Sequence, residues 1–325
     1  MKALKNLQQQ LFQKTSFLFV LVATILLFAQ PLIAQQNELV EAVRNNNTSE
    51  VKRLLEAGAN PNAIDDDSDN VLMNAAMYAS AECLSALLQK KADPNQKNKH
   101  GQTALMYSTH DVEKLKLLLQ HGADINVISK SGNTTLLIAC VDNQQNDIVQ
   151  LLLENKADPM AINKLGETAL IRSAQFSDTS TLRLLISKGI NINAVDKYGG
   201  TALRNAIINS NTPAVLCLLN NGADPNMVDS FLVNGLSYAV MINDSDIKKA
   251  IVQKTTNINA PDILGMTPLM WAVYNEFDRP DIIQLLIDKG AEVNAKQPDG
   301  STALSWAIKK GNTATVALLK KHGAH

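Results

Sequence analysis

One phrase recurs along this chain at almost constant spacing. LLEAGANPN (54–62), LLQKKADPN (87–95), LLQHGADIN (118–126), LLENKADPM (152–160), LISKGININ (185–193), LLNNGADPN (218–226) and LIDKGAEVN (286–294) are its clear copies. A degenerate version, IVQKTTNIN, covers 251–259, and LLKKHGA closes the sequence. A second phrase is interleaved: TALMYS at Thr103, TTLLIA at Thr134, TALIRS at Thr168, TALRNA at Thr201, TPLMWA at Thr267 and TALSWA at Thr302, with weaker forms at Asn37, Asn70 and Asn234. The nine starts are spaced by 33, 33, 31, 34, 33, 33, 33 and 35 residues. A unit this short cannot enclose a core of its own. Its apolar face must be buried against the next copy, and the chain must therefore stack.

The chemistry of one unit predicts two helices. Each opening Thr or Asn has a side-chain oxygen that can cap a helix N-terminus. Two residues later stands Leu in every copy: Leu39, Leu72, Leu105, Leu136, Leu170, Leu203, Leu236, Leu269 and Leu304. Three further on comes Ala or Ser, small enough for close helix approach. Apolar residues at helical spacing follow, as in DVEKLKLLLQ and PDIIQLLIDK, with Pro280 suited to a first helical turn. Gly58, Gly122, Gly189, Gly222, Gly290 and Gly323 then sit where a helix ends in a left-handed turn. Lys91, Lys156 and Thr255 occupy that slot in three units, which predicts strain or a different turn there. From this slot to the next opening residue the count is 12 in every interval, so all length variation falls between the two helices. Insertions are tolerated at that inter-helix turn and not across the stacking face.

These residues resemble the ankyrin repeat, whose pattern joins a Thr-Pro-Leu-His-x-Ala helix start to a Gly-Ala-Asp-x-Asn turn. The resemblance implies an all-α solenoid of nine helix-turn-helix repeats with short hairpin loops, one repeat domain over 35–325. The family's histidine is missing throughout; Val40, Met73, Met106, Leu137, Ile171, Arg204, Ser237, Met270 and Ser305 stand in its place. Its hydrogen bonds between repeats must be absent or replaced. Lys320, in an apolar slot of the last helix, suits an end cap with no neighbour.

The N-terminus reads as an address. Lys2, Lys5 and Lys14 precede an apolar run from Phe17 to Ala29, and LIA leads into QQNE. That order is expected of a bacterial-type secretory signal peptide over 1–34, cleaved after Ala34. The run has 13 residues, short of the roughly 20 that span a bilayer. The alternative is an uncleaved membrane anchor. The expected location is thus periplasmic or secreted. Cys83, Cys140 and Cys217 are odd in number and fall at different places in the repeat, so they are expected as buried apolar fillers rather than disulfide partners.

Thirty Lys and Arg against 31 Asp and Glu leave a formal charge of −1, which gives no general attraction to nucleic acid. No nucleophile elbow, HExxH or phosphate loop is present. No catalytic residue, cofactor, metal or small-molecule substrate is expected. The run Asp65, Asp66, Asp67 and Asp69 begins like a calcium loop, but Asn70 stands where its glycine should be and Ala76 where its glutamate should be. Two surfaces remain. The residue four after each opening position includes Tyr107, Arg172, Tyr238, Trp271 and Trp306, which either anchor a partner or pack against the next repeat. The hairpin tips vary and would expose Tyr198, Phe231, Ile263 and Leu264. The expected function is that of a monomeric, exported protein-binding scaffold. The alternatives are an inhibitor, immunity or stress-protection partner of one envelope enzyme, and a membrane-anchored structural tether.

Overall fold

A computed structural model describes residues 35–141, 146–175, 179–275 and 280–325. The expected signal segment lies outside the described residues. The chain divides into two compact units, one ending at Val127 and the other running Ile128–His325. The first unit contains α1 (35–44), α2 (Thr48–Glu56), α3 (Val71–Tyr78), α4 (Ala81–Gln89), α5 (Ala104–Tyr107) and α6 (Val112–Gln120). The second contains α7 (Thr135–Ala139), α8 (Asn146–Glu154), α9 (Ala169–Ser173), α10 (Ser180–Ser187), α11 (Ala202–Ile208) and α12 (Thr212–Asn220). It continues with α13 (Gly235–Met241), α14 (Ser245–Lys254), α15 (Pro268–Asn275), α16 (Pro280–Asp288), α17 (Ala303–Lys310) and α18 (Thr313–Lys321). Among the described residues these 18 helices are accompanied by no strand. Isolated bridges at Ile64–Asn70, Ile162–Thr168 and Val228–Asn234 mark the bases of hairpins. The architecture is the expected all-α repeat stack.

Within each unit, odd helices pack on odd and even on even. The contacts α3–α5 and α2–α4–α6 hold the first unit, and α13–α15–α17 and α12–α14–α16–α18 belong to the second. The repeated leucine explains the stacking: all nine are at most 7% exposed, and so are the nine Ala or Ser three positions on. Each such leucine contributes about 1.5–3 kcal/mol of burial.

The capping expectation holds at most inner helices. The side chains of Asn70, Thr134, Thr168, Thr201, Asn234, Thr267 and Thr302 each accept a hydrogen bond from the backbone N–H three residues on. Two positions differ. Thr103 makes no such bond, and α5 is a single turn. Asn37 lies exposed inside α1, because the helix is already formed at Gln35 and Gln36, both good helix formers.

The C-terminal slots behave as the residue types dictate. The six glycines all have positive φ, between 78° and 92°. Lys91 and Lys156 are forced into the same region at 67° and 70° and store strain there. Thr255, at φ −74° and ψ 131°, escapes into an extended turn.

Two sets of polar bonds tie neighbouring repeats where the family's histidine is missing. Backbone carbonyls near the ends of inner helices accept from the following repeat: Ala76 from Lys114 Nζ (3.0 Å), Ala174 from Asn211 Nδ2 (3.3 Å) and Val273 from Asn312 Nδ2 (3.5 Å). The last Asn of the turn phrase supplies the second set. Asn95, Asn193, Asn259 and Asn294 each donate to the glycine carbonyl of the following repeat, at 2.9–3.4 Å. Each also accepts a backbone N–H two residues beyond that glycine, from Asp124, Asp224, Glu292 and His325. At this position the fourth repeat carries Met160, which can do neither.

Candidate partner-binding surface

Six of the hairpins are built around one polar side chain five residues before the helix opening. In Asp65, Asn98, Asn163, Asp196, Asp229 and Asp262 a single Oδ1 accepts the backbone N–H groups two and four residues on, at 2.8–3.1 Å. This closes the loop and turns the carboxylates inward. Asp229 and Asp262 are each 6% exposed.

The other polar atom of that side chain often reaches nine residues along, to the row read from the sequence. Asp65 Oδ2 accepts from Asn74 at 2.8 Å, and Asn98 donates to the Tyr107 hydroxyl at 3.2 Å. The Tyr238 hydroxyl donates to Asp229 Oδ2 at 2.5 Å, and the indole N–H groups of Trp271 and Trp306 donate to Asp262 Oδ2 and Gln297 Oε1 at 2.9 and 2.8 Å. Arg172 departs from the pattern and pairs with Glu167 at 3.0 Å. The polar ends of the row therefore belong to the hairpins, while the rings stay half-buried. Burial, reinforced by Asp69, pushes the Tyr107 hydroxyl up to about 12. Burial together with Asp229 does the same for Tyr238. Both phenols remain proton donors across the physiological range. This nine-residue link was not read from the sequence, although the polar residue five before each opening position was its visible signal.

Tyr274 was also missed, because it lies off the repeat-equivalent position. Its ring centroid is 5.8 Å from that of Trp271 and 5.3 Å from that of Trp306, and both contacts are edge-to-face at 89°. Lys310 Nζ lies 4.0 Å from the centre of the Tyr274 ring, and Lys309 Nζ lies 5.0 Å from that of Trp306.

The expected tip residues are exposed: Tyr198 by 53%, Phe231 by 59%, Ile263 by 63% and Leu264 by 61%, joined by Leu165 and Leu232. Leu165, Tyr198, Phe231 and Leu264 repeat at the 33-residue period. Backbone bonds join successive tips: Lys164 N–H donates to Ser131 O (3.0 Å), Lys197 to Leu165 (2.8 Å), Ser230 to Tyr198 (2.8 Å) and Ile263 to Phe231 (3.0 Å). The tips thus form an ordered ridge whose apolar side chains project from a satisfied backbone.

Other candidates are absorbed by structure. In the acidic run, Asp65 is held by loop amides and by Arg44 at 2.7 Å, and Asp69 accepts from Asn98 at 2.7 Å. The three cysteines are buried and unpaired. Burial raises Cys83 to about 11 and Cys140 to about 12, so both stay as inert thiols. A cavity beside Arg204, Asp229 and Tyr238 has a volume of about 10 Å³, room for a single water. No described helix is long and apolar enough to cross a membrane.

Stacked two-helix units joined by ordered hairpins define a helical-repeat scaffold. The ankyrin-repeat family model matches residues 39–129, 136–229 and 236–325, and the chain belongs to the ankyrin-repeat family. The family is a non-catalytic interaction module whose repeats generally mediate protein–protein contact. No curated protein matches the chain significantly.

Proposed function

We propose that this chain is an exported, monomeric and non-catalytic scaffold that binds a protein partner in the periplasm or outside the cell. The observation that carries the binding reading is the ridge of Leu165, Tyr198, Phe231 and Leu264, with Leu232 and Ile263 beside it. Isolated exposed apolar residues are ordinary; an ordered, contiguous row is a mark of an interface. The ridge costs the isolated chain solubility and contributes nothing to its core. Within the second unit, the half-buried residues Arg172, Tyr238, Trp271 and Trp306 supply a second, more polar contact face. Export is supported by the order of basic residues, apolar run and small residues over 1–34.

Affinity capture from envelope extracts tests the reading with two baits, the wild type and Y198S/F231S/L264S. The wild type should retrieve one stoichiometric protein, and the variant should lose it while melting unchanged. Equal retrieval by both baits would remove the ridge from the account. Intact mass tests export separately: loss of the first 34 residues is expected, and a full-length mass in the envelope would favour the anchor.

A further inference from the structure

The tip ladder of the second unit changes chemistry along its length. Its donor side holds Lys164, Lys197, Ser230 and Ile263 in rung order, and its acceptor side Ser131, Leu165, Tyr198 and Phe231. Lys130 occupies the donor slot one repeat earlier, and Leu264 the acceptor slot one repeat later. One end of the ridge is thus cationic and the other apolar. The two meet at Lys197, whose Nζ lies 4.8 Å from the centre of the Tyr198 ring.

Lys130, Lys164 and Lys197 are exposed, and among the described residues none of the three enters an ion pair. The carboxylates of the same hairpins are engaged elsewhere. Glu167 holds Arg172 at 3.0 Å and Asn163 at 2.6 Å. Asp196 accepts the N–H groups of Tyr198 and Gly200, both at 2.8 Å. Asp229 and Asp262 are buried by their loops and bonded to Tyr238 and Trp271. At the hairpin bases, Asp124, Asp158 and Asp224 each accept the N–H two residues on at 2.9 Å. Beyond the apolar end, Glu292 and Asp299 are set against Lys296 and, for Asp299, Lys309. The other carboxylates of the second unit lie off the hairpins. Asp147, Glu154, Asp244, Asp246, Asp281 and Asp288 belong to even-numbered helices or their caps, and in sequence Asp142, Asp178, Glu276 and Asp278 fall between the two helices of a repeat. A row of free lysines therefore leads into a row of exposed apolar side chains on one ordered backbone.

We propose that the ridge takes an extended segment of the protein partner with its acidic residues in one block and its apolar residues in the next. The carboxylates lie along Lys130, Lys164 and Lys197, and the apolar side chains along Tyr198, Phe231 and Leu264. The inference rests on the protein-binding reading above and names the partner chemistry for its ridge.

Four rungs at about 10 Å per stacked repeat span about 40 Å, the length of about twelve extended residues. The probe is therefore a blocked, fluorescein-labelled dodecapeptide with glutamates in one half and leucines spaced by serines in the other, read by anisotropy against the full chain. Its controls are the glutamine counterpart and an isomer of the same composition with glutamates and leucines interleaved. The block peptide should bind saturably and weaken with added salt, and each control should bind about tenfold more weakly. K130Q/K164Q/K197Q should lose about the same factor at an unchanged melting temperature, and K130E/K164E/K197E should transfer the preference to a lysine counterpart of the peptide. Y198S/F231S/L264S should also lose binding. No binding, equal binding of either control, or an unaffected K130Q/K164Q/K197Q would overturn the proposal. So would binding of anionic phospholipid vesicles in place of the peptide. Failure here combined with ridge-dependent capture removes the acidic chemistry and leaves the scaffold reading standing, whereas capture that ignores the ridge removes that reading independently.

Discussion

Met160 is the clearest place where the repeat falls short of its own chemistry. In other repeats, Asn at this position donates to the glycine carbonyl of the following repeat and accepts an N–H two residues beyond it. The backbone at 160 is already in the same conformation, because Met160 N–H bonds to Asp158 Oδ1 at 2.9 Å just as Asn95 bonds to Asp93 at 2.8 Å. The offsets at Asn193, which reaches Gly222 and Asp224, place Gly189 O and Asn191 N–H within reach of an asparagine at 160. Met160 is 50% exposed, so its replacement forfeits little burial. Two neutral hydrogen bonds at about 1 kcal/mol each, less that small loss, give Met160→Asn a gain of about 1–2 kcal/mol. In a unit of this size that is roughly 2–8 °C in melting temperature. Urea unfolding and hydrogen exchange at Asn191 provide the assay, with Met160→Ala as control. The asparagine should raise the midpoint and protect that amide, and the alanine should do neither. A neutral or destabilising asparagine would refute the inter-repeat ladder as an energetic device.

Three further outcomes follow from the same geometry. Lys91→Gly and Lys156→Gly relieve positive φ and should each stabilise by about 0.5–1 kcal/mol in denaturant melts. Gly132→Ala would place a Cβ 2.6 Å from the backbone nitrogen of Lys164, which should cost at least about 2 kcal/mol and disrupt the first rung of the tip ladder, read as loss of amide protection at Lys164. For Asp244, burial by itself would raise the carboxyl, but the N–H groups of Ile247 and Asp246 and the Thr212 hydroxyl overcome it and hold the value below 3.8. A folded-state value below the unfolded one supplies stability above the unfolded pKa and loses it as pH falls through the folded one. Melts of the wild type from neutral pH to well below 3.8 should therefore show a decline that Asp244→Asn lacks in part.

What the sequence disclosed was governed by periodicity. The buried leucines, the helix caps, the left-handed glycines and the strained lysines are each decided by one residue in a repeated slot, so comparison of copies exposes them. Asn37 failed as a cap because a slot is only potential; α1 runs through it on the strength of its neighbours. The exposed tips Tyr198, Phe231 and Leu264 were legible, but the rungs joining them were not, since backbone bonds leave no residue signature. The row from Tyr107 to Trp306 was visible as a column of large side chains. Its attachment to the hairpins needed a link of nine residues to a second polar slot, five before each opening position, that looks like ordinary loop composition when taken alone. Tyr274 escaped for the opposite reason: it joins the tryptophans through space and occupies no shared slot.

Hydrogen exchange on the captured complex tests the central claim most directly. Partner binding should slow exchange over the tip segments 195–199, 228–233 and 261–265, with the even-numbered helices α8, α10, α12 and α14 unchanged. Protection confined to those even-numbered helices, with the tips exchanging as in the free chain, would contradict the account.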